Sequence, residues 1–357
     1  MSLKSLIDTG TKVWLDGVEP DHIKRNRALG ITGATSNPSI ISKIIEKGDF
    51  EKQISALIER GLNDEAIAWT LDDELVRSAQ EIFFPVWEKT RGDDGYVSFE
   101  LDPLIEDQSK SLSHDERVGR YVELGKTWSA GHRNRMIKVP ATAAGLDALE
   151  ELAAAGVTIN VTLMFTDRQY RAARDAIWRG AQRRSQGLND FKSVYSIFIS
   201  RIDVYADKHL RELSPAACGQ VGIATAKKVW RMNQEFWKEK HLRLRQEIVF
   251  ASTGVKNPAD PPDKYVEALA GSDIQTNPPA TNEAVQRLGK QYTGKVDQML
   301  PKNVLNEIED KVDTVELERV LMDEGTRKFA EPQKNLLGRI TDARFAGGKR
   351  TVTRTSQ

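Results

Sequence analysis

Eight short apolar runs recur along the chain, separated by longer amphipathic or charged segments. Each run has the length of a strand: residues 13–17, 33–37, 96–101, 136–140, 158–165, 194–202, 248–253 and 274–277. Helical patterns lie between most of them, for example at 143–155, 168–184 and 264–270. Strands that alternate with helices are typical of parallel βαβ units, and eight such units in 357 residues predict an α/β protein with a (β/α)8 TIM barrel.

Two of the intervening segments, 39–89 and 206–245, are too long for a single crossover helix. Both are charged and contain tryptophans, so we expect additional helices packed outside the barrel. No linker divides the chain. We therefore expect one barrel domain with helical insertions over 1–335, followed by a basic C-terminal tail at 336–357 that need not be ordered.

Composition excludes several classes of function. Lysine plus arginine equals aspartate plus glutamate at 52 each, which argues against a nucleic-acid partner. The only cysteine, Cys218, excludes an intrachain disulfide and a thiolate zinc cluster. The five histidines lie in polar surroundings, so a metal site is not expected. No apolar run reaches the roughly 18 residues of a membrane span and no secretory signal is recognisable, so the sequence predicts a cytoplasmic protein without membrane attachment.

One lysine, Lys138, lies inside the apolar run at 136–140. Burial lowers the pKa of a lysine and releases an amine that can condense with a ketone. The alternative is a lysine that reaches solvent from a strand end or pairs with a carboxylate. Strand alternation places Lys138 on the same face as Met136, whereas Ile137 and Val139 face the helices.

Other polar residues stand near the ends of the apolar runs, where the active site of such a barrel lies. They are Asp16, Asn37, Glu100, Asn160, Thr162, Ser196, Arg201 and Ser252. Each one alone could have a structural hydrogen-bonding role, but together they predict a site. By the period of two, Asn160 shares a strand face with Thr162, and Ser196 shares one with Phe198.

Four segments resemble the transaldolase family: GITGATSNPS at 30–39, IKVPAT at 137–142, NVTL at 160–163 and SIFISRID at 196–203. The resemblance runs in order from Trp14 to about Asn257 and resumes near 276–281. It implies a class I aldolase without metal or organic cofactor. Such an enzyme moves a dihydroxyacetone unit from sedoheptulose 7-phosphate or fructose 6-phosphate to glyceraldehyde 3-phosphate or erythrose 4-phosphate, in the pentose phosphate pathway.

The resemblance also implies residue roles. Lys138 matches the Schiff-base lysine, and Asp16 matches the carboxylate that takes the proton from the C4 hydroxyl. Glu100 matches the acid that acts with Thr162 and a bound water in carbinolamine dehydration. The residues that match the dihydroxyacetone-binding positions are Asn37, Asn160 and Ser196; those that match the phosphate-binding positions are Arg201 and Ser252.

Two of the phosphate contacts have alternatives. Many family members carry an arginine two residues after the serine, whereas here the stretch STGVKN at 252–257 has Lys256 one position later. Lys256 could bind phosphate as a point charge without arginine's fork, or it could be an exposed loop lysine. Arg201 could instead form an ion pair with Asp203.

Two functional alternatives stay open. Fructose-6-phosphate aldolase shares the barrel and the lysine but carries glutamine at the position of Glu100 and tyrosine at that of Phe198. Phenylalanine lacks the hydroxyl that could bind the catalytic water, which favours transaldolase. The other alternative is a barrel that binds sugar phosphates without turning them over. Exposed faces of the helical insertions could support a homodimer.

Overall fold

A computed structural model describes residues 2–210 and 212–352, with side chains described as far as residue 345. Eight parallel strands close into a barrel in sequence order, so the predicted (β/α)8 fold is confirmed. The strands are β1 (Lys12–Asp16), β2 (Gly33–Thr35), β3 (Val97–Glu100), β4 (Arg135–Pro140), β5 (Ile159–Met164), β6 (Ser193–Phe198), β7 (Glu247–Ala251) and β8 (Ile274–Asn277).

Helices follow the strands and fill both long segments. In the described residues they are α1 (Ser2–Asp8), α2 (Pro20–Ala28), α3 (Pro38–Glu46), α4 (Glu51–Glu59), α5 (Asp64–Lys89), α6 (His114–Ser129), α7 (Ala143–Ala154), α8 (Asp167–Gln182), α9 (Ile199–His209), α10 (Val221–Lys238), α11 (Lys264–Ala268), α12 (Pro279–Arg287), α13 (Lys302–Lys311) and α14 (Thr314–Val352). Local capping sets several starts: Thr142 accepts a hydrogen bond from the amide of Gly145 at α7. The predicted helical insertions are thus present as α3, α4 and α5 and as α10.

The sixth apolar run does not form one strand. Residues 194–202 were expected to be extended throughout, but the strand ends at Phe198 and α9 begins at Ile199. Both halves are almost entirely buried, so the apolar pattern of the sequence continues across the point where the backbone changes from strand to helix. As a consequence, Arg201 lies on the first turn of α9 and not on a strand.

The interior of the barrel is layered. An apolar floor is formed by Trp14, Tyr96, Met136, Val194, Val249 and Ile274. Two residues further along four of these strands, on the same face, stand Asp16, Ser98, Lys138 and Ser196. Ile137 and Val139 belong instead to the main core between strands and helices, as the alternation predicts.

Buried charges close the amino-terminal end of the barrel. The Lys12 amine donates to Glu247 Oε2 at 2.8 Å and to Asp93 Oδ2 at 3.0 Å. Lys192 also donates to Glu247, and Arg245 donates to Asp93. Burial alone would raise the pKa of Glu247, but Lys192 and Lys12 hold it below its ordinary value. This network therefore stabilises the end of the barrel opposite to the candidate site.

The last helix, α14, crosses the domain boundary expected at residue 335. It contacts α3, α4, α5 and α9. Leu336 and Ile340 are buried, so residues 336–345 pack on the domain, while 353–357 lie outside the described residues. No helix in the described part of the chain is both long and apolar enough to cross a membrane.

Candidate active site

Lys138 is buried and held by two oxygen atoms. The residue is 4 % exposed, and its amine donates to the carbonyl of Ser36 at 2.9 Å and to Glu100 Oε2 at 3.0 Å. The strand register explains the contact, because Glu100 on β3 is aligned with Lys138 on β4, and Lys138 with Asn160 on β5. The lysine does not extend to solvent. It does pair with a carboxylate, which was the other alternative, and the partner is Glu100, the acid that the resemblance implies.

Asp16 and Glu100 are the two carboxylates that the resemblance predicts to act with Lys138. Burial raises the pKa of Asp16 above its ordinary value, although Lys138 and a hydrogen bond from Thr35 Oγ1 oppose the rise. Burial likewise raises the pKa of Glu100, again opposed by Lys138. The nearby carboxylate of Asp16 also raises the pKa of Glu100. Both groups are therefore shifted toward the range in which a carboxyl can give and take protons near neutral pH.

A chain of hydrogen bonds joins residues of β3, β5 and β6 beside the lysine. Asn160 Nδ2 donates to Ser98 Oγ at 2.8 Å, and Ser196 Oγ donates to Asn160 Oδ1 at 2.7 Å. All three residues are buried. The amide of Asn160 is thus fixed in one orientation, because it donates to one neighbour and accepts from the other.

Three buried polar atoms of predicted site residues have no hydrogen-bond partner among the described residues. They are Glu100 Oε1, Thr162 Oγ1 and Arg201 Nη1. Buried polar atoms without partners are rare in stable proteins and need an explanation. Thr162 precedes Leu163, which has a left-handed φ of 52°, at a register irregularity between β5 and β6. Such irregularities are frequent beside active sites.

The carboxyl end of the barrel opens into a cavity of about 610 Å³. Most of the predicted residues line it: Asp16, Asn37, Lys138, Thr162, Ser196, Phe198, Arg201, Ser252 and Lys256. Glu100 and Asn160 do not line it, and they contact lining residues from below. Asn37 has a second role, because its side chain caps α3 by accepting from the amide of Ile40.

Arg201 does not pair with Asp203, so that alternative is wrong in this structure. Asp203 accepts from the amide of Gly222 at 2.7 Å and from the Tyr265 hydroxyl at 2.8 Å. Ser252 has a left-handed φ of 57°, and its hydroxyl lies 2.7 Å from that of Ser200. Lys256 is exposed and also lines the cavity.

Sequence reasoning missed several lining residues. Lys43 comes from α3, and Glu324, Lys328 and Phe329 come from α14, which extends over the mouth of the cavity. None of these stands at a strand end. The available signal was the spacing of Leu317, Leu321, Gly325 and Phe329, four residues apart, which is typical of one helix face. In the described parts of the chain, no group of three or more His, Cys, Asp and Glu side chains could hold a metal ion.

The fold and the site define an enzyme of the (β/α)8 class with a buried amine at the carboxyl end of the strands. The family model described as Transaldolase/Fructose-6-phosphate aldolase matches residues 13–340. The chain therefore belongs to the transaldolase/fructose-6-phosphate aldolase family of enzymes, and the resemblance seen in its motifs is confirmed.

Individual relatives agree with this family. A protein of Mycobacterium ulcerans (strain Agy99) named transaldolase is 33% identical over 308 residues, which covers 80% of each chain. The transaldolase of Mycobacterium tuberculosis (strain ATCC 25618 / H37Rv) is 32% identical over 364 aligned positions, covering 94% of this chain and 95% of the relative. The transaldolase of Mycolicibacterium paratuberculosis (strain ATCC BAA-968 / K-10) is 32% identical with the same coverage.

Proposed function

We propose that this chain transfers a dihydroxyacetone unit from a ketose phosphate to an aldose phosphate through a Schiff base on Lys138. The donors are sedoheptulose 7-phosphate or fructose 6-phosphate, and the acceptors are glyceraldehyde 3-phosphate or erythrose 4-phosphate, as in the pentose phosphate pathway. One observation carries the proposal: a buried amine lies beside Glu100 in a cavity that also contains Asp16, and both carboxyl groups have raised pKa values.

The first step forms the imine. The Lys138 nitrogen attacks the C2 carbonyl of the donor, and the resulting carbinolamine loses its hydroxyl as water to give a protonated imine. Glu100 supplies the proton for that departure, and Thr162 helps to hold the water. This assignment is supported by two buried oxygen atoms that have no hydrogen-bond partner in the described part of the chain, Glu100 Oε1 and Thr162 Oγ1.

The second step breaks the C3–C4 bond. Asp16 takes the proton of the C4 hydroxyl, the electrons of the bond move into the protonated imine, and an aldose phosphate leaves with a new aldehyde. The three-carbon unit stays on Lys138 as a neutral enamine. The enamine C3 then attacks the aldehyde of the acceptor, Asp16 returns its proton, and water releases the product ketose phosphate.

The remaining residues bind substrate. Asn37, Asn160 and Ser196 are assigned to the dihydroxyacetone hydroxyls, since amides and hydroxyls both donate and accept. Arg201, Ser252 and Lys256 are assigned to the phosphate. This role is supported by Nη1 of Arg201, which has no hydrogen-bond partner among the residues that the structure describes, and by the position of Lys256 at the cavity.

The test is chemical trapping. Wild-type protein is mixed with fructose 6-phosphate, reduced with borohydride and digested for mass analysis. We expect a dihydroxyacetone-sized adduct on the peptide that contains Lys138, and none in Lys138→Met. An unmodified wild-type protein would contradict the proposal and leave the non-catalytic sugar-phosphate barrel as the better interpretation.

A second measurement separates transfer from simple cleavage. With erythrose 4-phosphate added, a transaldolase forms sedoheptulose 7-phosphate, whereas a fructose-6-phosphate aldolase releases free dihydroxyacetone. Phe198 lines the cavity and has no hydroxyl to direct a water at the enamine, which favours transfer. The homodimer stays a prediction, and sedimentation velocity would test it.

A further inference from the structure

Two aromatic rings lie against the guanidinium of Arg201. Its central carbon lies 4.8 Å from the centre of the Phe198 ring and 5.8 Å from that of Phe329 on α14. The carboxylates of Asp16, Glu100 and Glu324 interact with its charge at longer range, but among the described residues none forms an ion pair with it. Two neighbouring carboxylates have other partners. Asp203 accepts from Gly222 and Tyr265, and Glu324 pairs with Lys328 at 3.1 Å.

This mode of holding an arginine has a chemical consequence. An aromatic ring attracts the face of a guanidinium, whereas carboxylates and phosphates bind its N–H edge. A carboxylate partner would therefore occupy the same donors that an incoming phosphate needs. Contacts with rings leave those donors without a fixed acceptor: Nη1 of Arg201 is buried and has no hydrogen-bond partner among the described residues.

The position of Phe329 is fixed by close packing of α14 against the barrel. Phe329 is 5 % exposed. One turn earlier, Gly325 lies so close to the strand ends that an added Cβ would be 3.1 Å from Leu163 Cδ2 and 3.5 Å from Arg201 Nη1. The backbone carbonyl of Lys328 accepts a hydrogen bond from Ser39 on α3. The ring is therefore a built part of the cavity and not a loosely placed surface group.

We propose that Phe329 is a positioning residue for phosphate recognition, holding the Arg201 guanidinium by its face so that its edge meets the substrate phosphate. This inference rests on the proposed function, in which Arg201 binds that phosphate. The inference gives α14 a part in selecting phosphorylated sugars over free ones, although this helix is distant in sequence from most of the strands.

The experiment uses glucitol 6-phosphate, a sugar alcohol that carries the phosphate but no carbonyl and so cannot form an imine. Its affinity is measured by calorimetry for wild type, Phe329→Leu, Phe329→Tyr and Phe345→Leu. We expect Phe329→Leu to weaken binding by about twofold to thirtyfold, the range of a cation–π contact from exposed to desolvated sites. Phe329→Tyr keeps the ring face and should bind nearly as wild type does. Phe345, which is 67% exposed on the same helix, provides the matched control and should change nothing.

A second readout separates positioning from general damage. Phe329 also lies 5.8 Å from the Lys138 amine, so a disturbed cavity would impair imine formation as well. Borohydride trapping with free dihydroxyacetone, which has no phosphate, should fall clearly less in Phe329→Leu than the affinity for glucitol 6-phosphate does. Equal losses in trapping and in phosphate binding, or a Phe329→Tyr variant as weak as Phe329→Leu, would overturn the inference.

The two proposals fail in different ways. If wild type binds glucitol 6-phosphate and Phe329→Leu binds it equally well, only the role of Phe329 is refuted. If wild type does not bind it while Lys138 is still trapped by dihydroxyacetone, the phosphate assignment of Arg201 is refuted, and the role of Phe329 falls with it.

Discussion

Replacing Asp16 by asparagine should separate the two chemical steps. Asparagine has almost the same shape and can still accept the 3.0 Å hydrogen bond from Thr35, but it cannot take a proton. Loss of a general base slows the proton-transfer step by about 10²–10⁴-fold, equivalent to roughly 3–5 kcal/mol of activation free energy. Imine formation on Lys138 should continue, because Lys138 donates to Glu100 and Ser36 and not to Asp16.

The same variant should not lose stability. Burial raises the pKa of Asp16 in the folded state, so the ionised carboxylate costs folding free energy at neutral pH. Asparagine removes that cost, and the free energy of unfolding in urea at pH 7 should stay equal or rise. A slow variant that is also markedly less stable would contradict this account of the carboxylate.

The assay follows both steps in a single turnover with fructose 6-phosphate. Borohydride quenching measures the imine, and a coupled dehydrogenase measures the glyceraldehyde 3-phosphate released. If Asp16→Asn lowers imine formation and cleavage equally, the carboxylate merely holds the lysine and the proposed role is refuted. Thr35→Val is the matched control: it retains the base but removes a hydrogen bond that lowers its pKa, so the acid limb of kcat should move to higher pH.

Three further predictions address the elements around the site. Ser98→Ala removes the acceptor of Asn160 Nδ2, and we expect about 1–3 kcal/mol less stability in urea unfolding together with a higher KM for the donor. Glu247→Gln leaves Lys12 and Lys192 without a shared carboxylate and should lower the free energy of unfolding by about 3–5 kcal/mol. Because the folded-state pKa of Glu247 is lowered, that difference should be complete above its ordinary value of 4.5 and shrink as the pH falls below it. Gly325→Ala should raise KM for phosphorylated donors by pressing on Leu163 and Arg201, whereas Gly338→Ala, with open space at the same helix, should leave KM unchanged and add up to about 1 kcal/mol of stability.

The barrel and its inner layer could be predicted from the sequence because both depend on short-range periodicity. Apolar runs of strand length mark the strands, and the period of two orients Lys138 with Met136 and away from Ile137. Parallel strands then bring polar residues from separate runs to the same end. That reasoning needs no knowledge of distant contacts, which is why it located Lys138, Glu100 and Asn160 on neighbouring strands.

Features that depend on tertiary packing could not be predicted in this way. The change from strand to helix after Phe198 lies inside a continuous apolar run, so periodicity gives no signal. Helix α14 covers the cavity through contacts between residues more than a hundred positions apart in the sequence, such as Phe329 and Arg201. The basic composition near residue 350 suggested a tail, yet the buried Leu336 and Ile340 fix the preceding helix to the domain.

Register connects the stability of the barrel with its chemistry. Glu100, Lys138 and Asn160 are direct neighbours across β3, β4 and β5, and Met136 fills the apolar floor two residues before the lysine. A slip of one residue in β4 would turn every side chain of that strand to the other face. Lys138 would then enter the apolar shell of helices without Glu100, and Glu100 would stay in the barrel without its cation. Burial of either charge without its partner is costly, so the apolar floor and the paired charges favour the same register of β4. The free-energy cost of any shifted register therefore helps to hold the Lys138 amine beside Glu100.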